Sequence, residues 1–169
     1  MENTMKLGSL MTAAAFGLSL ATTALHAEPV SIEAVMAPTQ SIRMDFKDGS
    51  KRFVLMVQRE GEATGSGILS GASVVEQGWH DINPPVGADP LGYLEFTAEN
   101  GDVAYIKWVV RAVFAKGGDG PRLIDYGHWE LVSGTGQFDG KTGVGTLEIK
   151  PASKTERLFI LAGEIVDKA

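Results

Sequence analysis

Cysteine is absent from all 169 residues. That absence excludes a disulfide scaffold, a thiolate nucleophile and any Cys-ligated zinc or iron–sulfur site. A basic surplus is also missing: 15 Lys and Arg stand against 21 Asp and Glu, for a net charge of −6. Nucleic-acid binding needs a cationic footprint, so no nucleic-acid partner is expected. After Ala27, no stretch of helical length carries apolar residues at helical spacing between caps. Charged residues make up 21% and apolar residues 44%, a balance that excludes wholesale disorder, and the length suits one domain. Glycine is the residue in excess, with 21 copies in the chain, well above the usual roughly 7%.

The first 27 residues read as a cleavable signal peptide rather than as part of the fold. Lys6 supplies the only base, Leu10 to Leu20 forms an apolar run, and small residues follow up to Ala27. Cleavage is placed after Ala27, with Ala24 as the alternative site and Met5 as an alternative start. The apolar run falls short of the ~20 residues that a spanning helix needs, which argues against a membrane anchor. An exported, cysteine-free domain fits a bacterial periplasm or secretion, with no membrane contact after cleavage. Residues 28–40 carry Pro29 and Pro38 and read as an extended lead-in, followed by one folded domain over residues 41–169.

From Ser41 the pattern is one of strands and turns. The expected strands are Ile42–Phe46, Lys51–Glu60, Ala72–Ile82, Leu91–Ala98, Val103–Phe114, Leu123–Val132, Val144–Ile149 and Arg157–Val166. Asp48-Gly49 and Asn100-Gly101 are hairpin signals between apolar runs. Gly61–Gly71 and Ala115–Arg122 read as glycine-rich loops. Asn83 to Pro90 reads as a loop because its three prolines cannot donate to a central ladder. Short strands at this spacing imply an all-β barrel or sandwich.

Nine of the glycines lie between Gly117 and Gly145. Gly140-Lys141-Thr142 is not a phosphate loop, since the spacing of the preceding glycine is wrong and a strand, not a helix, follows. Glycines in strands instead mark bulges, barrel corners and close backbone contacts. The run Trp129-Glu130-Leu131-Val132-Ser133-Gly134-Thr135-Gly136-Gln137-Phe138-Asp139-Gly140, then Gly143-Val144-Gly145-Thr146 and Gly163-Glu164-Ile165, resembles the late hairpins of allene oxide cyclase/dirigent-type barrels. That resemblance implies a single antiparallel eight-stranded barrel with an apolar lumen, and homo-oligomers. It further implies either cyclisation of an unstable lipid epoxide or steering of radical coupling, in both cases by shape and without a nucleophile. No catalytic residue of that family maps onto a motif here.

Candidate functional residues therefore come from the strands themselves. With a two-residue turn at Asn100-Gly101, Ala98 faces Val103, Glu95 faces Ile106 and Tyr93 faces Trp108. One face would then hold Tyr93, Glu95, Ile106 and Trp108, and the other Leu94, Phe96, Lys107 and Arg111. If the first face lines the lumen, Glu95 sits in an apolar pocket and suits general acid–base work. If the second does, Lys107 and Arg111 suit a carboxylate ligand. His80 beside Trp79 stands at a strand end, where a barrel mouth contacts ligand. His80 and His128 would need a third ligand, such as Asp81, Asp125 or Glu130, to hold a metal, and no metal-binding spacing is present. Gly65-Ser66-Gly67 is too short for a nucleophile elbow.

These residues lead to one reading and one alternative. The barrel is expected to bind a small apolar or aromatic molecule in its lumen and to isomerise or cyclise it by shape plus one acid–base group. Glu95 and His80 are then the acid–base candidates, and Trp79, Tyr93, Trp108, Lys107, Arg111 and His128 the ligand contacts, with no cofactor and no metal. The alternative is a non-catalytic lipocalin-like carrier or a protein-interaction module. A lumen packed solid across Trp108 and Phe96 would leave only the interaction role.

Overall fold

The structure is a computed structural model that describes residues 27–117 and 120–169. The signal-peptide reading of the first 27 residues falls, but for Ala27, outside the described residues. Eight antiparallel strands close into one barrel in chain order. They are β1 (Glu28–Asp45), β2 (Phe53–Ser66), β3 (Ser73–Asn83), β4 (Gly87–Thr97), β5 (Val103–Gly117), β6 (Gly120–Gly134), β7 (Lys141–Pro151) and β8 (Arg157–Asp167). A short 3-10 turn, Gly136–Phe138, joins β6 to β7.

The alternation of the sequence explains the wall. In the first half of β1, Val30, Ile32, Ala34 and Met36 are buried while their neighbours are exposed. The same two-residue period turns Leu94 and Phe96 of β4 and Ala104, Ile106 and Trp108 of β5 inward. The barrel begins earlier than the sequence suggests: residues 28–36, read as lead-in, form the strand that closes the barrel against β8. Beyond Met36, β1 pairs with β2 alone among the described residues.

Two local differences from the sequence reading have clear causes. The β4–β5 hairpin pairs Thr97 with Val103 rather than Ala98 with Val103. Its turn is a three-residue loop, with the Gly101 amide donating to the Ala98 carbonyl at 2.9 Å and Gly101 at φ +86°. A type I turn closed by a left-handed glycine adds one residue relative to the two-residue turn, and every cross-strand partner shifts by one. Leu94 now faces Ile106 and Gly92 faces Trp108, while Tyr93 faces Lys107 on the outside. The second difference is at Pro90, which lies within β4 opposite His80. The β4–β5 pairing skips Asp89 and Pro90, so the missing proline N–H is accommodated where the ladder is open. The loop shrinks to Pro84–Val86.

One end of the barrel is packed solid. Trp108 and Trp129 pair across β5 and β6, both fully buried. Their neighbours in the same row are glycines: Gly92 and Gly78 beyond Trp108, and Gly145 and Gly163 beyond Trp129. A methyl on Gly145 would come within 2.5 Å of Trp129 Cε2, and one on Gly163 within 2.7 Å of Cζ2. A methyl on Gly92 would come within 3.0 Å of Trp108 Cζ2. The two indoles thus spread over bare backbone on either side, which is how one turn of the barrel accommodates two tryptophans. Phe159 meets Trp108 edge-on at 6.0 Å between centroids, and Phe138 is buried from the 3-10 turn between β6 and β7.

Candidate functional site

The opposite end is open. A cavity of about 330 Å³ lies among the mouth-side halves of the strands, at the small end of the range of ligand pockets. Its wall is apolar, with Phe53, Leu55, Ile82, Phe114, Leu123 and Ile149, and polar groups enter it from Arg43, Arg59, His80, Asp125 and Arg157. The lumen is therefore neither empty nor full. Trp108 and Phe96 are packed in the core, as a solid barrel requires, yet a cavity remains on the far side of them.

Three polar side chains form a buried group at this cavity. Glu76 is 0% and Arg59 5% exposed. Arg59 Nη1 donates to Glu76 Oε2 at 2.6 Å, and Glu76 Oε1 lies 3.2 Å from His80 Nε2. Arg59 Nη1 is also 3.4 Å from that same His80 nitrogen. Glu76, Gly78 and His80 share one strand parity, so all three face the lumen. A methyl on Gly78 would collide with Glu76 Oε1 and come within 2.6 Å of His80 Nε2. The glycine leaves the space in which the two side chains meet. His80 in turn packs on Trp108, ring centroids 5.9 Å apart.

Asp125 and Arg157 complete the polar set. Asp125 is buried, and its Oδ1 has no hydrogen-bond partner among the described residues. Burial, reinforced by the charge of Glu148 and opposed by Arg157, pushes its pKa up to about 7. Arg157, entering from the start of β8, has its pKa lowered first by burial and then by repulsion from Arg59. Arg59 Nε is likewise buried without a partner. At the mouth, Arg43 is held by Asp45 at 2.6 Å and lies over the Phe53 ring at 3.6 Å.

The residues expected from the sequence separate between the two sides of the wall. His80 and Trp108 face the lumen, His80 lining the cavity and Trp108 supporting it. Glu95 is on the outer face, opposite Tyr105, because the register shift turns it away from Trp108. Tyr93 and Trp79 are 48% and 43% exposed on that face. Lys107 and His128 are exposed there too. Arg111 pairs with Asp89 outside the lumen. A second outer pair, Arg52 with Asp81, holds the Asp81 carboxyl below the usual carboxylate range. Among the described residues, no group of three His, Asp or Glu is placed to hold a metal ion. His80 and His128 lie on opposite sides of the wall. The sequence alone does not single out Arg59, Glu76 or Arg157, and it offers Asp125 only as a third metal ligand. The available signal was parity: Arg59 lies in step with Phe53 and Leu55, and Glu76 in step with His80.

No family model and no curated protein matches the chain. Among solved structures, the fold is similar to a beta-barrel like protein from Acinetobacter baumannii AYE. That match has a TM-score of 0.57 and 8% sequence identity, and covers 86% of this chain and 99% of the other. It is also similar to a conserved protein of unknown function from Rhodopseudomonas palustris, with a TM-score of 0.53 and 10% identity, covering 85% of this chain and 99% of the other. The chain is thus an eight-stranded antiparallel β-barrel resembling uncharacterised bacterial barrels.

Proposed function

We propose that this barrel binds a small apolar or aromatic molecule at the open end of its lumen. The observation that carries this reading is the cavity of about 330 Å³, apolar in its walls and polar where Arg59, His80 and Asp125 enter. Ligand sites combine an apolar enclosure with a few convergent polar groups in this way. The similarity of the late hairpins to allene oxide cyclase/dirigent-type barrels supports the same placement. The His80–Glu76 contact favours a second reading, in which the bound molecule is also isomerised. In that case His80 moves the proton and Glu76 orients it. The Met1–Ala27 segment supports export to the periplasm. The test is native mass spectrometry of protein purified from its own periplasm, alongside an Ala112→Phe variant that fills the cavity. A co-purifying small molecule lost in the variant is the expected result. No adduct in either protein, and no binding of small apolar or aromatic probes, would remove the reading.

A further inference from the structure

We infer that the ligand of this cavity is a small amphipathic monocarboxylic acid, its carboxylate held by Arg59 and Arg157 and its apolar body laid against Phe53, Phe114 and Leu123. The inference rests on the lumen-binding reading above and narrows it to one chemical class. Three observations carry it.

The first is charge. The cavity receives two guanidinium groups besides Arg43: Arg59 is paired with the buried Glu76 at 2.6 Å, whereas Arg157 donates only to the Glu156 carbonyl and has no carboxylate partner at ion-pair distance among the described residues. The third arginine, Arg43, is matched by Asp45 at the mouth. The Arg157 charge is thus the one in the lining without an ion-pair partner among the described residues. A monoanion balances it, whereas a cation adds to the repulsion already felt by Arg157 and a dianion leaves a buried negative charge in excess.

The second is the unused hydrogen-bonding capacity. Arg59 spends Nη1 on Glu76, but its Nε is buried and unpartnered, and so is Asp125 Oδ1. Buried polar groups without partners are uncommon and call for an explanation. A carboxylate accepts from Arg59 Nε along the edge of the guanidinium fork and also accepts from a protonated Asp125. A neutral ester or ether has weaker acceptors for the guanidinium, and an amine has none.

The third is size and wall character. The volume of about 330 Å³ accommodates a single ring or a short chain beside the carboxylate. The buried His80–Trp108 contact closes the inner end. The cavity does not continue into the packed half of the barrel, so a long acyl chain has no room to extend.

The test is calorimetry of the full-length mature protein with 3-phenylpropanoate and hexanoate, against their methyl esters, the matching alcohols and 3-phenylpropylamine. The acids are expected to bind about ten-fold or more tightly than the neutral analogues, as a charge-assisted hydrogen bond implies. Arg157→Met leaves the Arg59–Glu76 pair intact and is expected to erase most of that preference while keeping neutral-analogue affinity. Arg59→Lys serves as the second variant, because it retains the charge opposite Glu76 but loses the Nε edge. Esters and alcohols binding as tightly as the acids, or an acid preference unchanged in both variants, would overturn the acid assignment and leave the lumen reading standing. Failure of every probe, with no effect of Ala112→Phe, would overturn both.

Discussion

Glu76 and His80 stand four residues apart on one strand, yet their side chains meet at 3.2 Å over the bare backbone of Gly78. Strand residues at that spacing have Cα atoms roughly 13 Å apart, so the contact depends on both side chains leaning inward across an unoccupied position. Gly78→Ala places a methyl group in that gap. The expected outcome is a loss of about 1–3 kcal/mol, as for other overpacked interiors, read as a lower urea midpoint at unchanged slope. A midpoint equal to that of the natural protein would show that the gap is not needed.

The Arg59–Glu76 pair offers a sharper measurement. Removing one partner strands a charge inside the barrel, so Glu76→Ala is expected to cost about 3–5 kcal/mol. Replacing both partners, as Arg59→Met with Glu76→Leu, removes the stranded charge. The double variant is expected to recover most of the loss in chemical denaturation. A double variant as unstable as Glu76→Ala alone would mean that packing, not charge, holds this part of the lumen.

Burial lifts the folded-state pKa of Asp125 to about 7, from an ordinary value of 3.8. For a carboxyl raised in the folded state, the native protein binds the extra proton between those two values. Its stabilising contribution is therefore full below pH 4 and is lost as pH rises through about 7. The contribution is on the order of a few kcal/mol. Asp125→Asn is expected to flatten the stability profile between pH 4 and 8 and to be the more stable protein at pH 8. Parallel profiles for the two proteins would rule out this titration.

Trp129 and Gly145 form a further testable pair, since the indole occupies the space a methyl would need. Gly145→Ala is expected to destabilise the natural protein by about 1–3 kcal/mol. In a Trp129→Leu background the same substitution is expected to cost less, the remainder coming from the Ala162 carbonyl oxygen that also blocks the methyl, giving a coupling energy in a double-mutant cycle. Additive losses would show that the glycine serves the backbone rather than the indole.

Most strands were legible in the sequence because one side of each is buried, and alternation reports this directly; the first half of β1 was obscured by Pro29 and Pro38 and reads as a lead-in. The turn at Asn100-Gly101 was legible as a turn but not in its length. A one-residue difference in loop length moves no strand yet reverses which of Glu95 and Leu94 reaches the lumen. For that reason the candidate site could be read only in part. His80 lines the cavity, while Glu95, Lys107 and Arg111 lie outside. Arg59 and Glu76 were hidden by their charge, because charged residues in a strand ordinarily mark the solvent side. Only their mutual pairing, invisible without β2 and β3 in register, explains their place inside. Pro90 was misleading for a related reason: a proline is excluded from a ladder only where its nitrogen faces a partner, and here the β4–β5 pairing is open.

The tryptophan pair laid across its four glycines has one more consequence. It divides the lumen with a rigid partition, and Trp108 supports His80 at that partition. On the binding reading proposed above, the barrel would act as a length gauge: the indoles would set how far a guest enters, and the arginines would test which chemical group it carries. The two determinants lie on different residues. Depth and charge preference could therefore be altered independently by substitution while the strands stay as they are.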